Sequence, residues 1–332
     1  MQISNWHDNM RHREDVSCCP EFRLLSKLYK QILLSSFAFF EDKSIEYITV
    51  PATTGSVSSP TEPGSDSSPV VIEVNGRSTM FIDSAQFYLE YACRAFRDGC
   101  FYFGHSFRNE YPDNRHLSQF RHVEAEIPGT LEDVKKLVEN YIKAITSDIW
   151  KRYSEDLIEF EGIQCRVDGL LNNTNPFKSI SFDEAYKVLL SYEGALEQCA
   201  DEAFRISPYG ESILLNYFGD FLWIEKWHKL AVPFYQASNN QYALNADLLF
   251  GIGEVVGAGQ RHVTSNELTT AIKDHLLNES DYEWYIKMKE LSPLQTSGFG
   301  MGVERYLMWL LNVSDIRNIE LFPRDRNQMG LI

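Results

Sequence analysis

The sequence predicts an α+β fold in which a mostly antiparallel sheet is flanked by helices. Two observations predict it. Strand-like runs lie far apart in the chain, at 45–51, around 100–126, at 221–227 and at 242–261. Long helical patterns are inserted between them, above all at 130–157, and there is no internal repeat.

Each element follows from its local pattern. Residues 1–20 are polar and charged and read as a loose arm. In "EFRLLSKLYKQILLSSFAFFEDKS" (21–44), Leu24, Leu25, Leu28, Ile32, Leu33, Phe37 and Phe40 recur at helical spacing. "IEYITVP" (45–51) reads as a strand stopped by proline. Segment 52–69 is rich in Ser, Thr, Pro and Gly and reads as a mobile loop, either a plain connection or a lid. "VVIEV" and "STMFI" form a hairpin around Asn75-Gly76. "SAQFYLEYACRAF" (84–96) is a helix, and "GCFYFGHSFRNEY" leads into a strand. The helix at 130–157 opens with Thr130 as N-cap and acids in its first turn. "FDEAYKVLLSYEGALEQCADEAF" reads as helical within an otherwise mixed 160–230. "FLWIEKW" (221–227) is a strand, and 242–261 gives two strands around Gly251 and Gly253. "SGFGMGVERYLMWLLN" (297–312) reads as a glycine-rich turn opening a helix.

Composition narrows the function. With 332 residues, 44% of them hydrophobic, the chain can form one large domain or two ordinary ones. A net charge of −16 argues against sequence-independent binding to a nucleic-acid backbone. There is no signal-peptide pattern and no apolar run of the ~20 residues that a membrane span needs. The six cysteines fall at no zinc or redox spacing, so unpaired thiols in a cytoplasmic, reducing compartment are expected.

Three constellations carry chemistry. In "FRNEYPDNRHLSQFRHVEAE" (107–126), Arg108 and Glu110 would share one strand face, where a guanidinium can clamp an anionic oxygen. Phe120 offers a flat face to a base. Taken alone, this run fits a solvated hairpin as well as a nucleotide clamp. In "DLLFGIGEVVGAGQR", Asp247 and Glu254 can share a hard cation such as Mg²⁺, although an ordinary glycine-rich hairpin is the simpler reading. In "GFGMGVERYLMWLL", the free N–H groups of a helix N-terminus suit phosphate, and Arg305 can reach a polyphosphate.

In this order along the chain, the three constellations resemble the class II aminoacyl-tRNA synthetase catalytic domain. "FRNE…RHLSQFRHVEAE" looks like its second signature motif and "GFGMGVERYLMWLL…IRNIELFPR" like its third. "SAQFYLE", "DLLFGIGEVVGAGQR", "NPFKSISFDEA" and "VPFYQ" resemble the asparaginyl members. The resemblance covers roughly 20–325. It implies one catalytic domain over 21–332, with a helical insertion at about 130–220, and a homodimer built on 21–51.

The resemblance also implies roles. Arg108 would hold the α-phosphate of ATP and the carboxylate being activated. Glu110 and His116 would contact the nucleotide, and Phe120 would stack on adenine. Gly302 and Arg305 would lie against the nucleotide, with Arg305 on its other face or on the γ-phosphate. Asp247 and Glu254 would hold Mg²⁺–ATP. Ser84, Gln86 and Glu124 would line the amino-acid pocket, and Arg261 would read the substrate side-chain oxygen.

Departures from the family pattern refine this expectation. Gln119 stands where the family usually has Glu. Leu89 replaces the lysine by which aspartyl members pair with a β-carboxylate. "TEPGSD", with Glu62 and Pro63, stands where the family has a Glu-Gly-Gly lid. The first motif begins by residue 21, leaving no preceding stretch for an anticodon-binding domain, so tRNA charging is not expected. The leading expectation is an AMP-forming ligase that activates aspartate, asparagine or an analogue and passes it to ammonia or a small-molecule amine. The alternatives are transfer to a protein or tRNA, and a non-catalytic sensor.

Overall fold

The computed structural model describes residues 16–58, 68–111 and 113–324. Its main sheet has eight strands, numbered in chain order: β1 (Glu46–Tyr47), β2 (Cys100–Phe107), β3 (Gln119–Pro128), β4 (Lys178–Ser181), β5 (Leu222–Glu225), β6 (Asn245–Phe250), β7 (Gly253–Gln260) and β8 (Thr296–Gly302). Their spatial order is β1, β2, β3, β8, β7, β6, β5, β4. The two outermost pairings are parallel. The pairings between them are antiparallel, as expected for most of the sheet. The helices are α1 (Pro20–Glu41), α2 (Gln86–Ala92), α3 (Leu131–Leu157), α4 (Ile163–Leu171), α5 (Phe182–Leu189), α6 (Pro208–Phe218), α7 (Ser265–Asp274), α8 (Glu283–Leu291) and α9 (Val303–Leu311).

Side chains alternate between the two faces of a strand, and here the alternation separates core from site. Val123, Ala125, Ala246, Leu248, Val256, Phe299 and Met301 are buried in the main core. Residues of α1 and α3 complete that core: Phe40 stacks on Phe101 at 4.4 Å and on Tyr141 at 5.3 Å, and Ser36 Oγ lies 2.7 Å from Tyr141 Oη. Thr130 and Asp133 form the capping box that starts α3.

The opposite face carries polar side chains and glycines. One cross-strand row runs Tyr102, Glu124, Gly300, Gly257, Asp247, Ile224. The next runs Cys100, Glu126, Gly298, Gly259, Asn245. The central glycines leave room for their neighbours. A Cβ on Gly298 would fall 1.8 Å from Glu126 Oε2, and one on Gly259 would fall 1.7 Å from Gln236 Oε1.

Several expectations change. "SGFGMG" is not a turn but strand β8, running straight into α9, because its glycines are the floor of the sheet between β3 and β7. The helical reading holds for α5 but fails beyond it. There, α5 ends at Leu189, Gly194 takes φ +79°, and Leu196–Ala200 and Ala203–Ile206 form a hairpin turning at Glu202, which has φ +60°. Segment 130–220 is therefore not purely helical: α3 belongs to the core and β4 to the sheet edge. The strand at 45–51 is only two residues long. At the start of 52–69, Thr53–Thr54 pairs with Arg77–Phe81. The arm to residue 15, the loop at 59–67 with Glu62 and Pro63, Pro112 and the last eight residues lie outside the described residues. The hairpin at Asn75-Gly76 is present, with both turn residues at positive φ.

Candidate active site

A cavity of about 500 Å³ opens on the glycine face of the sheet. Its walls include the β2–β3 connection, the start of α2, the start of α6, the segment around Gln236, the β6–β7 hairpin and the start of α9. Ten of the sequence-selected residues line it: Ser84, Gln86, Arg108, Glu110, His116, Phe120, Asp247, Glu254, Gly302 and Arg305.

The nucleotide-side groups form a linked chain. Arg108 and Glu110 lie just beyond β2 rather than on it, with Arg108 Nη1 3.7 Å from Glu110 Oε1. The Arg108 guanidinium sits 5.5 Å from the centre of the Phe120 ring. His116 Nδ1 is 2.8 Å from Asp113 Oδ1, and its Nε2 is 3.1 Å from Arg305 Nη2. Arginine can only donate, so Nε2 accepts and Nδ1–H donates to Asp113. Burial opposes the Asp113 carboxylate, but the Arg115 N–H and His116 outweigh it and hold its pKa below the usual value. Arg305 also donates from Nη1 to the Glu254 carbonyl at 2.9 Å.

Asp247 and Glu254 approach each other over Gly257. A Cβ on that glycine would lie 3.8 Å from Asp247 Oδ1 and 3.5 Å from Glu254 Oε1. Among the described residues, no group of three or more His, Cys, Asp or Glu is placed to hold a metal alone. Two carboxylates suit Mg²⁺, which takes its remaining ligands from phosphate and water.

At the other end, Glu124 is fully buried beneath Ser84. Its Oε2 accepts from Ser84 Oγ at 2.9 Å and from the Ala85 N–H at 2.7 Å, and its Oε1 lies 2.8 Å from His122 Nδ1. Gln86 Oε1 and Asn245 Oδ1 are buried acceptors with no hydrogen-bond partner among the described residues, and both residues line the cavity. Arg261 does not line the cavity. It is 1% exposed, clamped through Nε and Nη2 by Glu126, and its Nη1 donates to Gln236 Oε1 at 2.9 Å. Gln236, which Arg261 holds, does line the cavity at this end.

Sequence reasoning missed Arg115, Glu211, Gln236 and Asn245. Arg115 lay within the charged hairpin without a role, and Asn245 sits two residues from Asp247 on the same strand face. Glu211 comes from a region that could not be assigned, so nothing in its local pattern marked it.

The sequence matches the family described as tRNA synthetases class II (D, K and N) over residues 19–326. The chain belongs to this family. It is therefore a member of the class II synthetases, which are ATP-dependent ligases. It is 28% identical over 324 residues to the asparagine–tRNA ligase of Koribacter versatilis, covering 95% of this chain and 71% of that one. It is 32% identical over 252 residues to the asparagine–tRNA ligase of Chloroflexus aurantiacus, covering 73% and 56%. Its fold matches the asparaginyl-tRNA synthetase of Pyrococcus horikoshii complexed with asparaginyl-adenylate, with a TM-score of 0.86 at 23% identity over 96% of this chain and 72% of that one. The Entamoeba histolytica asparaginyl-tRNA synthetase gives a TM-score of 0.84 at 24% identity, covering 100% and 74%. Among the described residues, no helix of this class II chain is long and apolar enough to cross a membrane.

Proposed function

We propose that the protein uses Mg²⁺–ATP to convert the carboxylate of asparagine to an acyl-adenylate and then transfers the acyl group to an amine. The observation that carries this reading is one cavity holding two sets of groups. Arg108, Phe120, His116 and Arg305 suit a nucleotide, and Ser84 and Gln86, with Glu124 buried behind Ser84, suit an amino acid. The carboxylate oxygen attacks the α-phosphorus in line. A new P–O bond forms, the bond to the bridging oxygen breaks, and pyrophosphate leaves with its electron pair. Arg108 neutralises charge at the α-phosphate and Phe120 stacks on adenine; Asp247 and Glu254 are the residues that would hold Mg²⁺, which would supply charge screening of the phosphates. These groups act by positioning and charge stabilisation, because no proton transfer is needed in this half-reaction.

Asparagine fits better than aspartate. Leu89 supplies no cation, and the Arg261 charge is already matched by Glu126. The partnerless oxygens of Gln86 and Asn245 call for N–H donors, which a carboxamide and an ammonium provide. The names of the curated relatives support the same choice.

For the acceptor, the net charge of −16 supports a small-molecule amine over a tRNA backbone, whereas the relatives' names support tRNA. Incubation with ATP, asparagine, and either tRNA or a panel of amines, ammonia included, separates the two. Formation of AMP and an amide with an amine supports the first reading, and stable aminoacyl-tRNA overturns it. Aspartate with ammonia is run alongside, since asparagine appearing there would mean that aspartate is the acid activated. Leu33, Leu34, Phe37 and Tyr47 are exposed on α1 and β1, which supports a homodimer through this face, and a monomer by sedimentation would contradict it.

A further inference from the structure

Glu211, from α6, reaches into the nucleotide end of the cavity and holds two structures that are distant in sequence. Its Oε2 lies 2.7 Å from Arg115 Nη2 and accepts the Glu254 backbone N–H at 3.3 Å. Its carboxylate occupies the space above Gly253, where a Cβ would fall 2.0 Å from Oε2 and 2.9 Å from Arg115 Nη2. Gly253 also has φ +122°, so both space and backbone require glycine there. Arg115 is buried, its Nε and Nη1 have no hydrogen-bond partner among the described residues, and it is adjacent to His116. Glu254 in turn receives Arg305 on its carbonyl.

We infer that Glu211 is a positioning residue for Mg²⁺–ATP: it ties the His116 loop to the Glu254 turn, so that His116, Arg305 and the metal-side carboxylate are set before the nucleotide arrives. The inference rests on reading this end of the cavity as the ATP site. The pull on Glu211 is two-sided. Burial raises its pKa, Arg115 opposes that rise, and Glu254 adds to it. Removing the carboxylate leaves the Arg115 charge buried and unmatched and frees the turn that carries Glu254.

The test is equilibrium binding of Mg²⁺–ATP, and separately of asparagine, to the full chain by calorimetry, with thermal midpoints measured in parallel. Glu211→Ala is expected to weaken Mg²⁺–ATP binding about tenfold while asparagine affinity stays within twofold. Glu211→Gln keeps the volume and one acceptor oxygen, so it controls for a folding defect in the alanine variant, and it is expected to lose threefold or more. Mg²⁺–ATP affinity within twofold of wild type in the glutamine variant, tighter binding, or equal losses for both ligands would overturn the inference. If the wild type does not bind Mg²⁺–ATP, the inference and the proposed function fall together. If it binds with the expected Glu211 dependence but does not activate an amino acid, only the proposed function fails.

Discussion

Arg305 Nη2 and His116 Nε2 lie 3.1 Å apart, although 189 positions separate the two residues in the chain. The contact joins the hairpin after β2 to the first turn of α9, across the mouth of the cavity. It places an obligate cation and a polarised imidazole side by side, with Asp113 fixing the tautomer.

If these two groups hold the outer phosphates of ATP, His116→Ala is expected to raise the KM for ATP by about tenfold or more, the worth of a hydrogen bond to a charged group. Arg305→Ala is expected to lower kcat/KM by about a hundredfold or more, because it removes charge stabilisation of the leaving pyrophosphate. Steady-state kinetics with ATP as the varied substrate reads both.

Asp247→Asn and Glu254→Gln are each expected to shift the Mg²⁺ concentration needed for half-maximal rate upward. Groups one step removed from a metal cost roughly 10–100-fold in affinity, so at least about tenfold is expected for direct ligands. A Mg²⁺ titration at saturating ATP checks this, and an unchanged midpoint would remove these carboxylates from the metal site.

The strands were legible in the sequence where alternation was strong and glycines broke it, as at Asn245–Phe250 and Gly253–Gln260. Ten of the twelve chosen site residues line one cavity, because the three motifs fall on or beside β3, β8, β7 and β6, which are neighbours in the sheet. Local pattern could not show that Arg261 is buried behind Gln236 and does not line the cavity. That outcome depends on Glu126 and Gln236, which approach through the space left by Gly298 and Gly259. Nor could it show the hairpin at 196–206, where the helical preference of "ALEQCADEAF" yields to packing against Tyr186 and Trp227.

The Arg261–Glu126 pair is fully buried and bidentate. Glu126→Gln is expected to cost about 3 kcal/mol or more of stability, since one charge is then left buried without its partner. The midpoint of urea unfolding, compared with wild type at the same pH, reads this loss.

Glu304, buried at the start of α9, accepts from the Arg121 N–H and has Glu320 nearby. Burial, then repulsion from Glu320, pushes its pKa up to about 8, from 4.5. The folded state therefore binds a proton that the unfolded state has released. The stability from this group is fully present below pH 4.5 and is lost as pH rises through about 8. Glu304→Gln is expected to flatten the decline in unfolding free energy between these limits. An identical decline in wild type and variant would assign the pH dependence elsewhere.

The most direct measurement is amino-acid-dependent exchange of labelled pyrophosphate into ATP, run over all amino acids with wild type and Arg108→Ala. The proposed chemistry predicts exchange with asparagine, much weaker exchange with aspartate, and loss of exchange when Arg108 is replaced. Exchange with no amino acid, or exchange that survives the loss of Arg108, would contradict it.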